Sequence, residues 1–505
     1  MKNQLKAGVI ISYLQVVLNI AIHLVYTPLM IKLLGKNEYG VYTLVASVVS
    51  YLSLFSLGFT GAYMRFHTQA EAKSVEDGYR VNGLFAVLFS IMSICALICG
   101  MILSFFPKEI FGSKLAPSEL YTAKILMRIL VVNIVLSFPA SLFDSIIISR
   151  EKFILQRGLM LLGTIVNPFM ALPLLIMGYG SVALVIVTTT ITVAKLLISI
   201  GYSFSVLKTR FLFRNLDFRM LKEVGMFSFF IFLNMIIDQI NWNVDRLILG
   251  HTRGSSEIAL YSVGAQINSL YITFSSTISN VFVPRVNRIA LETDIVKRNR
   301  EFSGLFIKVG RIQFAILSLI CSGLVFFGEY FICNIYAGKD YQASFIVALF
   351  LIVPVTIPLI QNLGIEIQRA VNMHKFRSIA YLIMALINVG ISIPLGIYYG
   401  AVGVAAGTTF GLTVSNGFIM NWYYHKKMGI NIRDFWCNIL KFSRGFIVPF
   451  GFGLIIHRFV RINSIMIFGV FVILYAIVYI VSIYMFSFNS SEKAYITNFV
   501  RRFKR

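Results

Sequence analysis

Four polar residues in one apolar block, Asn234, Asp238, Asn241 and Asp245, recur at spacings of four, three and four, which sets them on one face of a helix. A carboxyl group in a low-dielectric setting tends to hold its proton near neutral pH. Asp238, Asp245 and, in another block, Glu366 are therefore the candidates for coupling to a proton or sodium gradient, with Asp144 a weaker one. The first block carries Gln15, Asn19 and His23, again four apart. Cations recur at helical spacing in other blocks: Lys124 with Arg128, Lys195, Lys308 with Arg311, and Arg369 beside Glu366. Arg65 and Arg285 close the second and eighth blocks. An arginine forks onto carboxylate or phosphate oxygens and a lysine acts as a point charge, so this set fits an anionic ligand. Asn19, His23, Asn234, Asn241 and Trp242 add hydrogen-bonding groups and a flat aromatic surface as further candidates for ligand contact.

Plainer readings stand beside these. The α-helical stripe also fits interhelical hydrogen bonding, or pairing of Asp245 with Arg246, and Arg65, Arg285, Lys308 and Arg311 also fit long side chains reaching the nearest membrane interface. No catalytic set is visible. The sequence has no Gly-x4-Gly-Lys-Ser/Thr phosphate loop and no His/Cys/Glu cluster at zinc spacing, so neither a metal nor a cofactor is expected. Gly178-x-Gly180-x-x-Ala183 matches a dinucleotide fingerprint only superficially, because no strand precedes it, and it reads as a turn between helices.

The elements that position these residues are membrane-spanning helices. Hydrophobic residues make up 58% of the 505 and charged residues only 13%. A crossing takes roughly 20 apolar residues. The chain offers fourteen such blocks, at 7–31, 39–64, 82–106, 119–147, 155–178, 181–206, 223–250, 257–283, 303–328, 342–368, 378–399, 402–424, 440–457 and 463–487. The first is too long for a signal-peptide core and lacks a small-residue cleavage site, so it is read as a retained span. The net charge of +24 would suggest nucleic acid in a soluble protein. Here the basic residues fall mostly between spans, so no nucleic-acid partner is expected and the charge fixes topology. It places both termini in the cytoplasm, with basic loops at Lys208, Arg210, Arg214, Arg219 and Lys222 and at Arg285 to Arg300, and a basic tail of Arg501, Arg502, Lys504 and Arg505. The cysteines, Cys95, Cys99, Cys321, Cys333 and Cys437, lie mostly in or beside apolar blocks and read as packing.

The block pattern repeats at an offset of about 215 residues. Leu34-Gly35 matches Leu249-Gly250, and Glu38-Tyr39-Gly40-Val41-Tyr42 matches Glu257-Ile258-Ala259-Leu260-Tyr261 after a small insertion. Further on, Glu151-Lys152-Phe153 matches His374-Lys375-Phe376, and Asn167 with Pro173 matches Asn388 with Pro394. Six crossings per half make this a parallel repeat, with spans thirteen and fourteen appended. The expected organisation is a six-helix lobe at 1–210, a second at 211–430, and two additional helices with the tail at 431–505.

Six plus six plus two spans, the Leu34-Gly35-x-x-Glu38-Tyr39-Gly40-Val41-Tyr42 turn, the Asp245-Arg246-x-x-Leu249-Gly250 ending and the Tyr261-Ser262-Val263-Gly264-Ala265 opening resemble the polysaccharide transporter family. This is the Wzx-type flippase branch of the multidrug/oligosaccharidyl-lipid/polysaccharide exporter superfamily. The resemblance implies two lobes around a central cavity in a MATE-like fold, and alternating access that flips a polyprenyl-pyrophosphate-linked oligosaccharide across the bacterial cytoplasmic membrane. It implies membrane lipids, a polysaccharide polymerase and other assembly proteins as partners. The first span offers His23 and no Arg, unlike the Arg-rich first span of lipid II flippases, which argues against a peptidoglycan precursor. A cation-coupled multidrug exporter of the same superfamily is the alternative, separated by the sign of the cavity charge. A membrane polymerase or ligase is the more distant rival, because such enzymes carry catalytic groups on long outer loops and these loops are short.

Overall fold

The computed structural model describes residues 2–214, 219–373, 375–489 and 492–493, and every regular element among them is helical. His374, half of one repeat match, and the basic tail of Arg501, Arg502, Lys504 and Arg505 lie outside the described residues. The first half runs α1 (Lys2–Leu34), α2 (Lys36–Leu52), α3 (Phe59–Glu71), α4 (Val75–Phe105), α5 (Pro107–Phe111), α6 (Pro117–Ser149), α7 (Phe153–Ile176) and α8 (Gly180–Ser205). The second runs α9 (Arg219–Thr252), α10 (Ser255–Ala290), α11 (Ile295–Tyr330), α12 (Gln342–Ile360), α13 (Leu363–Ala370), α14 (Lys375–Leu412) and α15 (Asn421–Lys426). The chain ends with α16 (Ile432–Phe442), α17 (Ile447–Phe459) and α18 (Ile465–Phe486).

Among the described residues, 11 helical stretches are long and apolar enough to cross a membrane. One of them, Lys375–Lys426, contains two of the expected spans, because α14 leaves helical geometry at Gly400 (φ 60°, ψ −138°) and the chain turns there. The other two expected spans are α9 and α10, of 34 and 36 residues, which fall outside that set. At 1.5 Å per residue each is about 50 Å long, which exceeds the bilayer core.

Span two, read as one uninterrupted block, is broken. A 3-10 turn at Ser53–Ser56 is followed by Leu57 (φ 47°) and Gly58 (φ 70°), both left-handed, before α3 begins. Leu-Gly-Phe is fully apolar, so hydropathy cannot register the break. A Cβ on Gly58 would fall 2.4 Å from Ile231, so α9 packs into the space that the glycine leaves. Serine hydroxyls bond the carbonyls nearby, Ser50 to Ser47 O and Ser53 to Ser50 O, both at 2.6 Å. Such groups make a helix interruption tolerable at membrane depth. Span thirteen also differs. It opens with the amphipathic α16, capped by Asn431 and burying Ile432, Phe435, Ile439 and Phe442, before a 3-10 turn leads into α17.

Two compact units divide the chain, residues Met1–Ser262 with Gly396–Gly400, and Val263–Leu395 with Ala401–Arg505. In the first, α6 is the hub and packs against α2, α3, α4 and α8. Its core holds Phe59, Tyr63, Phe85, Phe89 and Phe138, with Tyr63 edge-on to Phe85 at 5.3 Å. Tyr63 donates to Asn82 Oδ1 at 2.7 Å and Asn82 donates to Arg210 O at 3.0 Å, which ties the basic linker after α8 onto α4. Gly83 is required beneath that linker, since a Cβ would lie 2.1 Å from Leu212 O.

In the second unit α11 is the hub, packing against α12, α16, α17 and α18. Tyr271 bridges Thr356 Oγ1 at 2.7 Å and Leu317 O at 3.2 Å, and Gln313 donates to Ser275 and Ser279. The appended helices are fixed by Tyr479, whose hydroxyl donates to Ala315 O and pairs with Ser318, and by an aromatic cluster of Phe326, Phe327 and Tyr475.

Candidate functional site

Within the first unit, a polar seam runs between α2, α9 and the start of α10. Gln239 Oε1 accepts from Asn243 Nδ2 at 2.7 Å and shares the single Ser50 hydroxyl hydrogen, at 2.8 Å, with Ser47 O, while Tyr51 OH donates to the Gln239 carbonyl at 3.3 Å. Arg246 continues the seam: Nε donates to Ser262 Oγ at 3.1 Å and Nη1 to Asn243 Oδ1 and the Trp242 carbonyl. Ser262 in turn donates to Thr43 Oγ1 at 3.0 Å. Asp245 is fully buried and accepts a short hydrogen bond from Tyr261. Adjacent in sequence, Asp245 and Arg246 thus turn to different partners. Gln239, Asn243 and Arg246 recur at four and three, the helical period of the Asn234–Asp245 stripe but offset from it along the chain.

The stripe itself divides along α9. Asn234 and Asp238 are exposed, Asn241 is half-buried, Trp242 is 37% exposed and Asp245 is buried. On α1, Asn19 is exposed and His23 is half-buried with Thr27 Oγ1 3.5 Å from Nδ1.

The first unit's cations separate into two kinds. Lys195 on α8 pairs with Asp144 on α6 at 2.9 Å, and Ser199 adds a 3.4 Å hydrogen bond to the same carboxylate. Its charge is therefore neutralised inside the bundle. Lys124 and Arg128 instead flank Phe105 at the end of α4, 5.9 and 5.6 Å from the ring centroid, and neither has a carboxylate partner among the described residues. Arg65, exposed on α3, stands 5.9 Å from the Phe66 ring.

In the second unit, Arg311 is 5% exposed and fully engaged: Nε and Nη2 fork onto Glu492 at 2.8 and 2.7 Å, Nη2 reaches Ser487 O at 3.0 Å, and the guanidinium stacks 4.9 Å from Phe442. Burial acts to raise the Glu492 carboxyl, but the Arg311 fork, the Asn489 backbone N–H and nearby Lys308 outweigh it and hold the group below its ordinary value. Lys308 is exposed one turn away. Arg369, also exposed, donates to Glu366 at 2.8 Å. Arg285 lines an open recess of about 380 Å³ with Arg288, Glu292 and Glu301.

Equivalent residues of the two repeats make equivalent local structure. Glu38 Oε1 accepts from the Ser181 backbone N–H at 2.6 Å and from its hydroxyl at 2.7 Å, against Gly180 (φ 61°). Glu257 lies against Gly400 (φ 60°), and a Cβ on either glycine would stand 2.4 Å from the facing carboxylate oxygen. The inserted Arg253 donates to the carbonyls of Gly396, Ile397 and Tyr398, the last acceptors before that turn. Asn167 donates to Thr188 at 3.2 Å in the first unit and Asn388 to Thr408 at 3.4 Å in the second.

An all-helical, multi-pass membrane chain with this architecture has the fold of the MurJ and MATE transporters. It matches a lipid II flippase MurJ in an inward-closed conformation with a TM-score of 0.74 at 17% identity, over 95% of this chain and 98% of that one. It matches an inward-facing multidrug resistance transporter of the MATE family with a TM-score of 0.66 at 14% identity, over 83% and 95%. The chain belongs to the family described as polysaccharide biosynthesis protein, whose model matches residues 29–309, more than half of its length. It is also 22% identical over 323 residues to a putative O-antigen transporter of Shigella flexneri, which spans 62% of this chain and 71% of that protein.

Proposed function

We propose that this protein is a flippase that carries a polyprenyl-pyrophosphate-linked oligosaccharide, a repeat unit of a surface polysaccharide, across the cytoplasmic membrane by alternating access. Both termini lie in the cytoplasm in this reading, and residues 1–210 and 211–430 act as the two lobes, with 431–505 as the appended pair and tail. Family membership and the O-antigen relative support a saccharide cargo. The observation that carries an anionic cargo is the Lys124–Arg128 pair. Two cations one turn apart, without a carboxylate partner among the described residues, are costly in hydrocarbon unless a ligand or water meets them. Lys195, Arg311 and Arg369 contact carboxylates of the chain itself, so the proposed substrate role rests chiefly on Lys124 and Arg128 with the α9 stripe, with Arg65, Arg285 and Lys308 as further cations. Asp238 is the proposed coupling carboxylate, exposed midway along that stripe.

The test is leaflet transfer of a labelled polyprenyl-pyrophosphate oligosaccharide in proteoliposomes, comparing the native chain with Arg128→Ala. Transfer by the native chain that falls in the variant supports the reading. Absence of transfer together with gradient-driven efflux of an organic cation would establish the alternative, a multidrug exporter, which the MATE-like fold also accommodates.

A further inference from the structure

The face of α9 formed by Gln239, Trp242, Asn243 and Arg246 carries more hydrogen-bond donors than the protein uses. Of the five guanidinium N–H groups on Arg246, Nε and Nη1 are directed to Ser262, Asn243 and the Trp242 carbonyl, while Nη2 has no acceptor among the described residues. Gln239 commits its oxygen twice and its amide nitrogen to none of the described residues. The indole of Trp242 is 37% exposed, with neither a ring neighbour nor an acceptor for its N–H among them. All of these hydrogen-bond partners of Arg246 are neutral, and no carboxylate oxygen among the described residues lies within ion-pair distance of it. Its bond to the Trp242 carbonyl folds the guanidinium back by one turn along α9. This face also adjoins the interrupted segment of α2 through Ser50 and Tyr51. Broken helices at such positions commonly border binding sites in transporters.

We propose that this face is a subsite for a pyranose ring bearing an oxyanion. The ring lies on the indole, the oxyanion takes the open Nη2 edge of Arg246, and the Gln239 amide donates to a ring hydroxyl. Side chains one turn apart have Cβ atoms about 5–6 Å apart, comparable with the span of a hexose. Two sources supply this chemistry: the carboxylate of an acidic sugar within the oligosaccharide, and the phosphate joined to its first sugar. The inference borrows only its ligand class from the flippase reading.

The sequence has three tryptophans, so Trp422→Phe with Trp436→Phe leaves Trp242 as the sole indole reporter in the full-length protein. Titration would use a glucuronate-containing disaccharide, its glucose counterpart and glucose 1-phosphate. The expected result is a saturable change in Trp242 emission with at least one anionic probe, at an affinity about tenfold or more above that for the neutral sugar. Response to glucuronate alone assigns an acidic sugar, response to the sugar phosphate alone assigns the linkage phosphate, and response to both assigns the shared group. Arg246→Gln should abolish the preference for charge, and Arg246→Lys, which keeps the charge but loses the fork, should weaken it and carries the same test if the glutamine variant does not fold. Equal binding of the neutral sugar, no response, or a preference untouched by both substitutions would overturn the subsite. Leaflet transfer is scored separately on the native chain: transfer without an anion response rejects the subsite alone, whereas an anion response without transfer rejects the flippase reading and leaves the subsite standing.

Discussion

Glu38 and Ser181 are joined twice, the carboxylate oxygen accepting both the backbone N–H and the hydroxyl of the serine that opens α8. A carboxylate at a helix N-terminus meets unsatisfied N–H groups and the positive end of the helix dipole. Glu38→Ala removes a charged acceptor from these donors and is expected to cost about 2 kcal/mol, with a lower melting temperature in detergent. Gly180→Ala and Gly400→Ala should destabilise as well, because each places a Cβ on a left-handed residue and against the facing glutamate. Unchanged melting in all three variants would remove the capping role.

The fork between Arg311 and Glu492 makes the attachment of the C-terminal segment sensitive to acid. The folded Glu492 carboxyl is held below its ordinary value of 4.5, so its stabilisation is present above that value and is lost as pH falls through the lower, folded value. Thermal melts between pH 6 and 3 should therefore converge for native protein and Glu492→Gln at the acid end and separate above pH 4.5. Arg311→Ala, which strips the partner from a buried pair, should cost about 3 kcal/mol at neutral pH.

Asp144 and Lys195 form the other internal pair. Asp144→Ala leaves an ammonium inside the bundle and should destabilise more than the double variant Asp144→Ala/Lys195→Ala, because a lone charge costs more than none. Additive losses in a double-mutant cycle would show that the pair is uncoupled.

Transport should divide the cations in the same way. Arg128→Ala is expected to lower leaflet transfer at least about tenfold while leaving melting nearly unchanged, since it removes a charge-assisted contact to substrate rather than an internal pair. Asp238→Asn should retain downhill transfer and lose its dependence on an ion gradient. If that dependence survives the substitution, the coupling role of Asp238 falls.

Much of the fold is legible in the sequence because crossing a bilayer requires long apolar blocks, and these survive in the structure, although span two runs on to Glu71 and span ten stops at Ile360, which leaves Glu366 and Arg369 on the separate α13. The repeat is legible for the same kind of reason: Asn167 and Asn388 each stand six residues before a proline, and both prove to bond a threonine beyond the next turn, on α8 and on the part of α14 after Gly400. The site is less so. Lys195 and Asp144 lie 51 residues apart and Arg311 and Glu492 lie 181 apart, and only helix packing brings each pair together. A residue's type shows that it needs a partner, whereas the tertiary neighbour decides whether the protein or a ligand supplies it. The break at Leu57 and Gly58 is invisible to hydropathy because the residues around it remain apolar.

The Glu38 contact has a consequence for synthesis. It joins residues 143 apart, and Glu257 stands the same distance before Gly400. At a ribosomal rate of about 5–20 residues per second, each glutamate waits roughly 7–29 seconds for its partner to be made. The Glu38 contact can therefore form before the second glutamate's partner has been made, and the Glu257 contact follows on the same delay.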